Sequence, residues 1–180
     1  MQITVSGLPG SGTTTLSRLL SEYYELELIS SGEIFRKMAR GRGMSLSEFG
    51  AMAEKDPSID LDIDKNQKSI IHTQDNIILE SRLAGHMAEG VPNVLKIWIK
   101  APLLTRVKRI QRREKSISFD EELGKTVERE KSEALRYKNY YGIDITDLSI
   151  YDIVIDSEKW NQYQTLDILR VAIDSLVGPE

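Results

Sequence analysis

Apolar positions in this chain fall into two kinds of pattern. Short apolar runs bounded by turn signals occur at QITVS (2–6), NIILE (76–80), VLKIWI (94–99) and YDIVID (151–156), with a weaker ELELIS at 25–30. Runs of this kind suit strands buried on both faces, as in a parallel sheet. Between them, apolar residues recur at helical spacing. Leu16, Leu19, Leu20 and Tyr23 share one face, and Leu166, Leu169, Ile173 and Leu176 share another near the C-terminus. Strands alternating with helices predict a three-layer α/β domain. Two stretches break the alternation. Residues 41–75 read as helical but polar, and residues 101–142 are charge-dense and too long for one crossover helix. Both are expected to be mobile lobes over a cleft.

Composition narrows the function classes. The chain has 180 residues, 40% of them apolar and 29% charged, as in one ordinary globular domain. A net charge of -4 argues against a nucleic-acid-binding surface spread over that domain. Cysteine is absent, which excludes disulfides, thiol catalysis and cysteine zinc sites. Any metal is then expected to be a hard ion held by oxygens. No apolar run approaches the roughly 20 residues of a membrane helix, and no basic leader precedes Ile3-Thr4-Val5. The expectation is a cytoplasmic monomer with neither membrane nor nucleic acid as partner.

The chemistry begins at GLPGSGTTT, which comprises Gly7, Leu8, Pro9, Gly10, Ser11, Gly12, Thr13, Thr14 and Thr15. The spacing is that of the phosphate-binding loop G-x-x-x-x-G-K-[ST], except that Thr13 stands in the lysine slot. The loop follows a buried strand and opens a helix, the context that separates a phosphate cradle from a chance glycine cluster. Its N–H groups can face phosphate oxygens at a helix N-terminus. Thr14 occupies the slot whose hydroxyl ligates Mg²⁺. The plainer reading is a turn with Thr13 or Thr14 as helix cap. Without the lysine, positive charge for the terminal phosphates has to come from elsewhere, and arginines can supply it because phosphoryl transfer is mostly positioning and electrostatics.

Other strand ends carry such groups. SSGEIFRKM (30–38) places Arg36 one turn past Gly32, where it can meet a second anion; Ser30 or Ser31 with Glu33 also reads as a capping box. After NIILE comes SRLAG, so Glu80 closes a strand at the position suited to holding magnesium through water, and Arg82 follows it. Ligands of open α/β sheets gather at such carboxyl ends. RVKRIQRREK (106–115) has six Lys/Arg against one glutamate, with Arg106, Arg109 and Arg113 on one face. Arg129, Glu133 and Arg136 share another face further on. A lone run of this kind is usually a solvated helix. Two runs flanking a hinge near Ser116–Phe119 predict instead a lid that carries guanidiniums onto phosphates.

At these residues the chain resembles nucleoside monophosphate kinases, specifically the type-2, archaeal form of cytidylate kinase. The resemblance covers almost the full length and rests on GLPGSGTTT, SSGEIFRKMA, GMSLSEFG, DPSIDLDID, ILESRLAG and REKSEALRYKNYYGID. The GTTT ending is similar to that family's own loop. The resemblance implies a P-loop kinase fold with a five-stranded parallel sheet, a nucleoside-monophosphate lobe over 31–75 and a lid over 106–136, within one domain spanning 1–180. It implies transfer from ATP, with Mg²⁺, to CMP or dCMP. ATP phosphates would lie on residues 7–15, and the acceptor phosphate near Ser31, Arg36 and Arg82. By similarity to bacterial cytidylate kinases, Arg129, Glu133 and Arg136 would face the acceptor or the transferring phosphoryl, with Arg82, Arg109, Arg113, Arg129 and Arg136 as the catalytic arginines.

Reading cytosine needs an acceptor for its exocyclic amine. DPSIDLDID supplies Asp56, Asp60, Asp62 and Asp64, and Asp60 is the expected base reader. The same spacing mimics a calcium loop but puts Lys65 where glycine is required and Ile71 where the bidentate glutamate belongs. His72 and His86 have no partner at metal spacing. Trp98 reads as core, and Trp160 as packing rather than adenine contact. Two other functions stay open on residues alone: an adenylate or shikimate-type small-molecule kinase, and a non-catalytic ATP-binding switch.

Overall fold

The computed structural model describes residues 1–114 and 118–177. The hinge expected near Ser116–Phe119 falls partly outside that description. Five strands form one parallel sheet: β1 (Gln2–Gly7), β2 (Glu27–Ser30), β3 (Ile77–Glu80), β4 (Val94–Lys100) and β5 (Ile153–Asp156). Their order across the sheet is β2-β3-β1-β4-β5. Each coincides with one of the apolar runs. β1 is central, paired with β3 through Gln2↔Ile77 to Val5↔Glu80 and with β4 through Gln2↔Val94 to Gly7↔Ile99.

Helices cover both faces. α1 (Thr13–Tyr24) and α8 (Gln162–Val177) pack on one face, where Ile3, Val5, Ile78, Ile97 and Ile99 meet Leu16, Leu20, Leu169 and Ile173. The opposite face, with Ile77, Leu79 and Trp98, packs against Ile71 of α4 (Ser58–Thr73), Met87 of α5 (Ala84–Met87) and Tyr137 of α7 (Phe119–Tyr141). The alternation of Ile3 and Val5 with the buried polar Thr4 and Ser6 is the period of two expected of a strand. Two residues depart from the helical pattern. Leu176 is 68% exposed, and Tyr23 lies on the surface with the Arg170 guanidinium 3.9 Å from its ring centroid.

The stretch read as helical but polar is α3 (Leu46–Lys55) and α4, following α2 (Ser31–Gly41), and it has a small core of its own. Phe49, Ala53 and Ile59 are buried there with Ala39, and Phe35, Leu46 and Met52 pack against them. Ser45 and Glu48 close a full capping box at the start of α3. The charge-dense stretch is two helices, α6 (Leu103–Glu114) and α7. Among the described residues no helix is long and apolar enough to cross a membrane.

The chain runs from β1 to β2 on one side, returns through β3, and then crosses to β4 on the other side. A crevice therefore opens at the carboxyl ends of β1, β3 and β4, the usual ligand site of such sheets.

The α8 face gives a direct test of this packing. Leu169 is 0% exposed and Leu176 is 68% exposed. Leu169→Ala is expected to lower unfolding free energy by about 2–5 kcal/mol, and Leu176→Ala to change it by no more than about 0.5 kcal/mol. Urea unfolding followed by circular dichroism measures both.

Candidate active site

The glycine-rich loop between β1 and α1 is held from behind. Arg82 Nη1 donates to the Gly7 carbonyl at 2.8 Å, and Arg106 Nη1 to the Pro9 carbonyl at 3.1 Å. Arg109 Nη1 reaches the Gly10 and Ser11 carbonyls at 3.4 Å each, and Ser157 Oγ donates to the Ser11 carbonyl at 2.7 Å. Because each peptide is planar and trans, turning these carbonyls toward the guanidiniums places the N–H groups of Leu8, Gly10 and Gly12 on the opposite side. Gly12 is the N-cap of α1 and offers no side-chain cap, so neither Thr13 nor Thr14 closes the helix end. The first N–H groups of α1 are thus left for another acceptor. Gly10 has φ +81, and a Cβ there would lie 2.6 Å from the Arg106 carbonyl oxygen, so no other residue fits.

Thr13, in the lysine slot, is 7% exposed and spends its hydroxyl on Glu80. Its Oγ1 donates to Glu80 Oε1 at 2.7 Å, and Thr14 Oγ1 donates to the same oxygen at 3.2 Å. Ser30 Oγ donates to Glu80 Oε2 while accepting from Glu33 N at 3.3 Å. Ser30, rather than Ser31, therefore caps α2, and Glu80 at the end of β3 joins the start of α1 to the end of β2. Glu80 is 4% exposed.

A second basic wall faces this one. The cleft beside the loop is lined by Arg36, Arg82, Arg113, Arg129 and Arg136, with Ser31 and Ser81 between them. The Ser31 and Ser81 hydroxyls are buried without partners among the described residues. Arg36 makes no hydrogen bond among the described residues, and burial lowers its pKa against the raising influence of Glu80. Glu133 on α7 bridges two other arginines: Arg82 Nε donates to its Oε2 at 2.9 Å and Arg129 Nε to its Oε1 at 2.8 Å. Burial alone would raise the Glu133 carboxyl, but the Arg82 and Arg129 guanidiniums outweigh it and hold the group at about 2. Arg136 Nε donates to Asp60 Oδ2 at 2.5 Å. Burial raises Asp60 despite that guanidinium.

Most of the residues singled out in the sequence do converge on this crevice, in different roles. Arg106 is 4% exposed, paired with Glu130 and tied to the loop, so it faces the back of the loop rather than the cleft. Arg109 also grips the loop and Ser157 from behind, with Nη2 donating to the Ser157 carbonyl at 2.7 Å. Arg113 alone of that trio reaches the cleft, with no bond among the described residues beyond its neighbour Glu114. Trp160 is not a packing residue: it is 43% exposed and lines a second cavity with Arg109, Ser157 and Asn161 on the α8 side of the loop. Trp98 is core, against Tyr151. His86 also sits edge-on to Tyr151.

Ser157 and Gln67 escaped the sequence reading, and Asp64, named there only as one of four aspartates, proves to share the cleft with Gln67. Ser157 braces the loop although it lies 146 residues from Ser11. Asp64 and Gln67 line the cleft from α4. Tyr141 Oη donates to Asp64 Oδ2 at 2.6 Å, and Gln67 Nε2 to Oδ1 at 3.0 Å. Burial pushes Asp64 up to about 6 in spite of those bonds. The missed signal is a polar stripe, Asp60, Asp64 and Gln67, at i, i+4 and i+7 of one helix.

A phosphate loop at a switch point of a parallel sheet, facing an arginine-lined second pocket, defines a kinase of the P-loop class. The model of the cytidylate kinase-like family matches residues 2–159, and the chain belongs to that family. It is 93% identical over 180 residues to a cytidylate kinase of Methanosarcina acetivorans, covering 100% of both chains. Among solved structures, an uncharacterized protein from Eubacterium ventriosum superposes with TM-score 0.72 at 22% identity, covering 97% of this chain and 99% of its own. A shikimate kinase from Bacteroides thetaiotaomicron gives 0.61 at 10% identity, covering 96% and 98%. The last two share the fold.

The Glu133 bridge sets a pH dependence. Its carboxyl is depressed from 4.5 to about 2 in the fold, so its stabilising contribution is complete above about 4.5 and is lost as pH falls toward 2. Glu133→Gln is expected to lose roughly 3 kcal/mol against the parent at neutral pH. The gap should close as the pH falls through that window. Denaturant unfolding of both proteins across the range measures it, and a pH-independent gap would assign the loss to something other than the carboxylate.

Proposed function

We propose that this chain transfers the γ-phosphoryl group of ATP to the phosphate of CMP or dCMP, giving ADP and CDP or dCDP. The observation that carries the reading is the pairing of two anion sites in one crevice: the outward-held loop with its free amides, and the arginine wall of Arg36, Arg82, Arg113 and Arg129 beside it. An ATP-binding switch needs only the first. The full-length likeness to cytidylate kinases supports CMP as acceptor.

Residues 7–15 would hold the ATP phosphates, with the adenine toward Trp160 and Arg109. Ser31, Arg36 and Arg82 would receive the acceptor phosphate, while Asp60 with Arg136 would line the nucleoside end. The hydroxyl of Thr14 and the carboxylate of Glu80, acting through water, form an all-oxygen donor set suited to Mg²⁺, which completes its shell with water and substrate phosphates. Bound there, the ion would neutralise charge on the phosphates. No strong protein base is required, since the attacking oxygen belongs to a phosphate that is already anionic.

Arg82 and Arg129 are pinned by Glu133 in this conformation and lie against the cleft. A dianionic acceptor would compete with that carboxylate for them. Residues 31–75 would close over the acceptor and the 106–136 segment over the phosphates, excluding the water that would otherwise hydrolyse ATP.

An ADP-release assay across CMP, dCMP, UMP, AMP, GMP and no acceptor tests the reading, with cytidine acceptors expected to be fastest. ADP release that no acceptor accelerates would leave the switch as the better account. Arg36→Ala should lower kcat/KM for CMP by about 10- to 100-fold, the scale of a lost charge-assisted hydrogen bond. Because Arg36 makes no hydrogen bond among the described residues, the unfolding midpoint of the variant should move little.

A further inference from the structure

Gln67 is 1% exposed, yet it lines the cleft. Its Nε2 donates to Asp64 Oδ1 at 3.0 Å, and its Oε1 has no partner among the described residues. Buried acceptors without partners are rare and call for an explanation. The orientation of the amide is fixed by chemistry rather than by choice. An ionised Asp64 can only accept, and it already takes the Tyr141 hydroxyl at 2.6 Å, so the amide must present nitrogen to Asp64 and oxygen elsewhere.

Asp60, expected from the sequence to read the base, has its Oδ2 committed to Arg136. Gln67 lies two turns further along the same face of α4, in the same cavity as Thr13, Thr14 and Arg82. An acceptor whose phosphate sits on the arginines would extend its base along that stripe.

We propose that Gln67 is the residue that selects cytosine over uracil, its Oε1 accepting the 4-amino group of the acceptor base. This rests on the cytidylate kinase reading of the cleft. Cytosine offers a donor at position 4, where uracil offers a carbonyl oxygen. Uracil would place oxygen against oxygen, and a flipped amide would only move the clash to Asp64. Adenine also carries an amine, so this contact divides the pyrimidines and does nothing against purines. The oxygen is shielded from water here, so the α2–α4 lobe must shift slightly to admit the base. A site whose buried polar group is left unpaired by the wrong substrate discriminates strongly against it.

The test compares kcat/KM for CMP and UMP at about pH 8, well above the Asp64 value of about 6. Gln67→Met keeps the side-chain length and removes the amide. The CMP value should fall by about 10- to 100-fold and the UMP value should change by less than about twofold, collapsing the preference. If Gln67→Met does not fold, Gln67→Asn withdraws the same amide by one methylene and carries the same expectation. An unchanged ratio, or an equal loss for both nucleotides, overturns the assignment while leaving the kinase reading intact. If the unmutated enzyme phosphorylates no pyrimidine nucleotide, the kinase reading itself fails and the assignment falls with it.

Discussion

The crevice depends on where four carbonyl oxygens point. Gly7, Pro9, Gly10 and Ser11 turn theirs toward Arg82, Arg106, Arg109 and Ser157, which approach from β3, α6 and the end of β5. Peptide geometry then fixes where the intervening amides face. Without those anchors the loop would be free to turn its oxygens into the cavity, where they would repel an anion. The glycines make the conformation accessible, with φ +81 at Gly10 and +101 at Gly12, but accessibility is not selection. The guanidiniums do the selecting.

Opposite charges are arranged so that the cleft is stable before any ligand arrives. Glu133 neutralises Arg82 and Arg129, Asp60 neutralises Arg136, and Glu130 neutralises Arg106. Unpaired, so many buried or half-buried guanidiniums would face a heavy desolvation penalty. The pairs differ in what a phosphate could take over. Arg106 is enclosed behind the loop, so its pairing with Glu130 is structural. Arg82 and Arg129 border the cleft, so Glu133 holds a place that an anionic substrate could fill. Arg36 has no paired carboxylate among the described residues, and burial of its guanidinium lowers its pKa against the pull of Glu80 and Glu33.

Much of this was legible in the sequence where the signal was local. All five strands, the loop, Arg36 and Arg82 follow from runs and spacings of a few residues. The helical arginines were legible as a group but not one by one. A charged stripe on a helix looks the same whether it meets water, a carboxylate or a carbonyl, and only the fold separates buried Arg106 from exposed Arg113. Trp160 was misread for a related reason: an aromatic residue after a strand is usually buried, and this one borders a cavity. Gln67 was missed because what marks it is one oxygen without a partner among the described residues, which no spacing rule reveals. Ser157 was missed because its partner is on the far side of the chain.

The threonine in the lysine slot then has a physical account. A lysine contributes a mobile ammonium within the loop's concavity. Here Thr13 instead fastens the start of α1 to Glu80, and thereby to Ser30 at the start of α2. The two helix N-termini that open on the cleft are locked to one carboxylate, so their positions are fixed relative to each other. Behind the loop, guanidiniums bond to its carbonyls, and of these Arg109 has no carboxylate partner among the described residues. Such a bond polarises the peptide and strengthens the N–H on its other side as a donor. The arrangement exchanges a flexible side chain for rigid contacts. Rigidity suits phosphoryl transfer, in which the protein's task is to hold two phosphates in line and stabilise the charge between them.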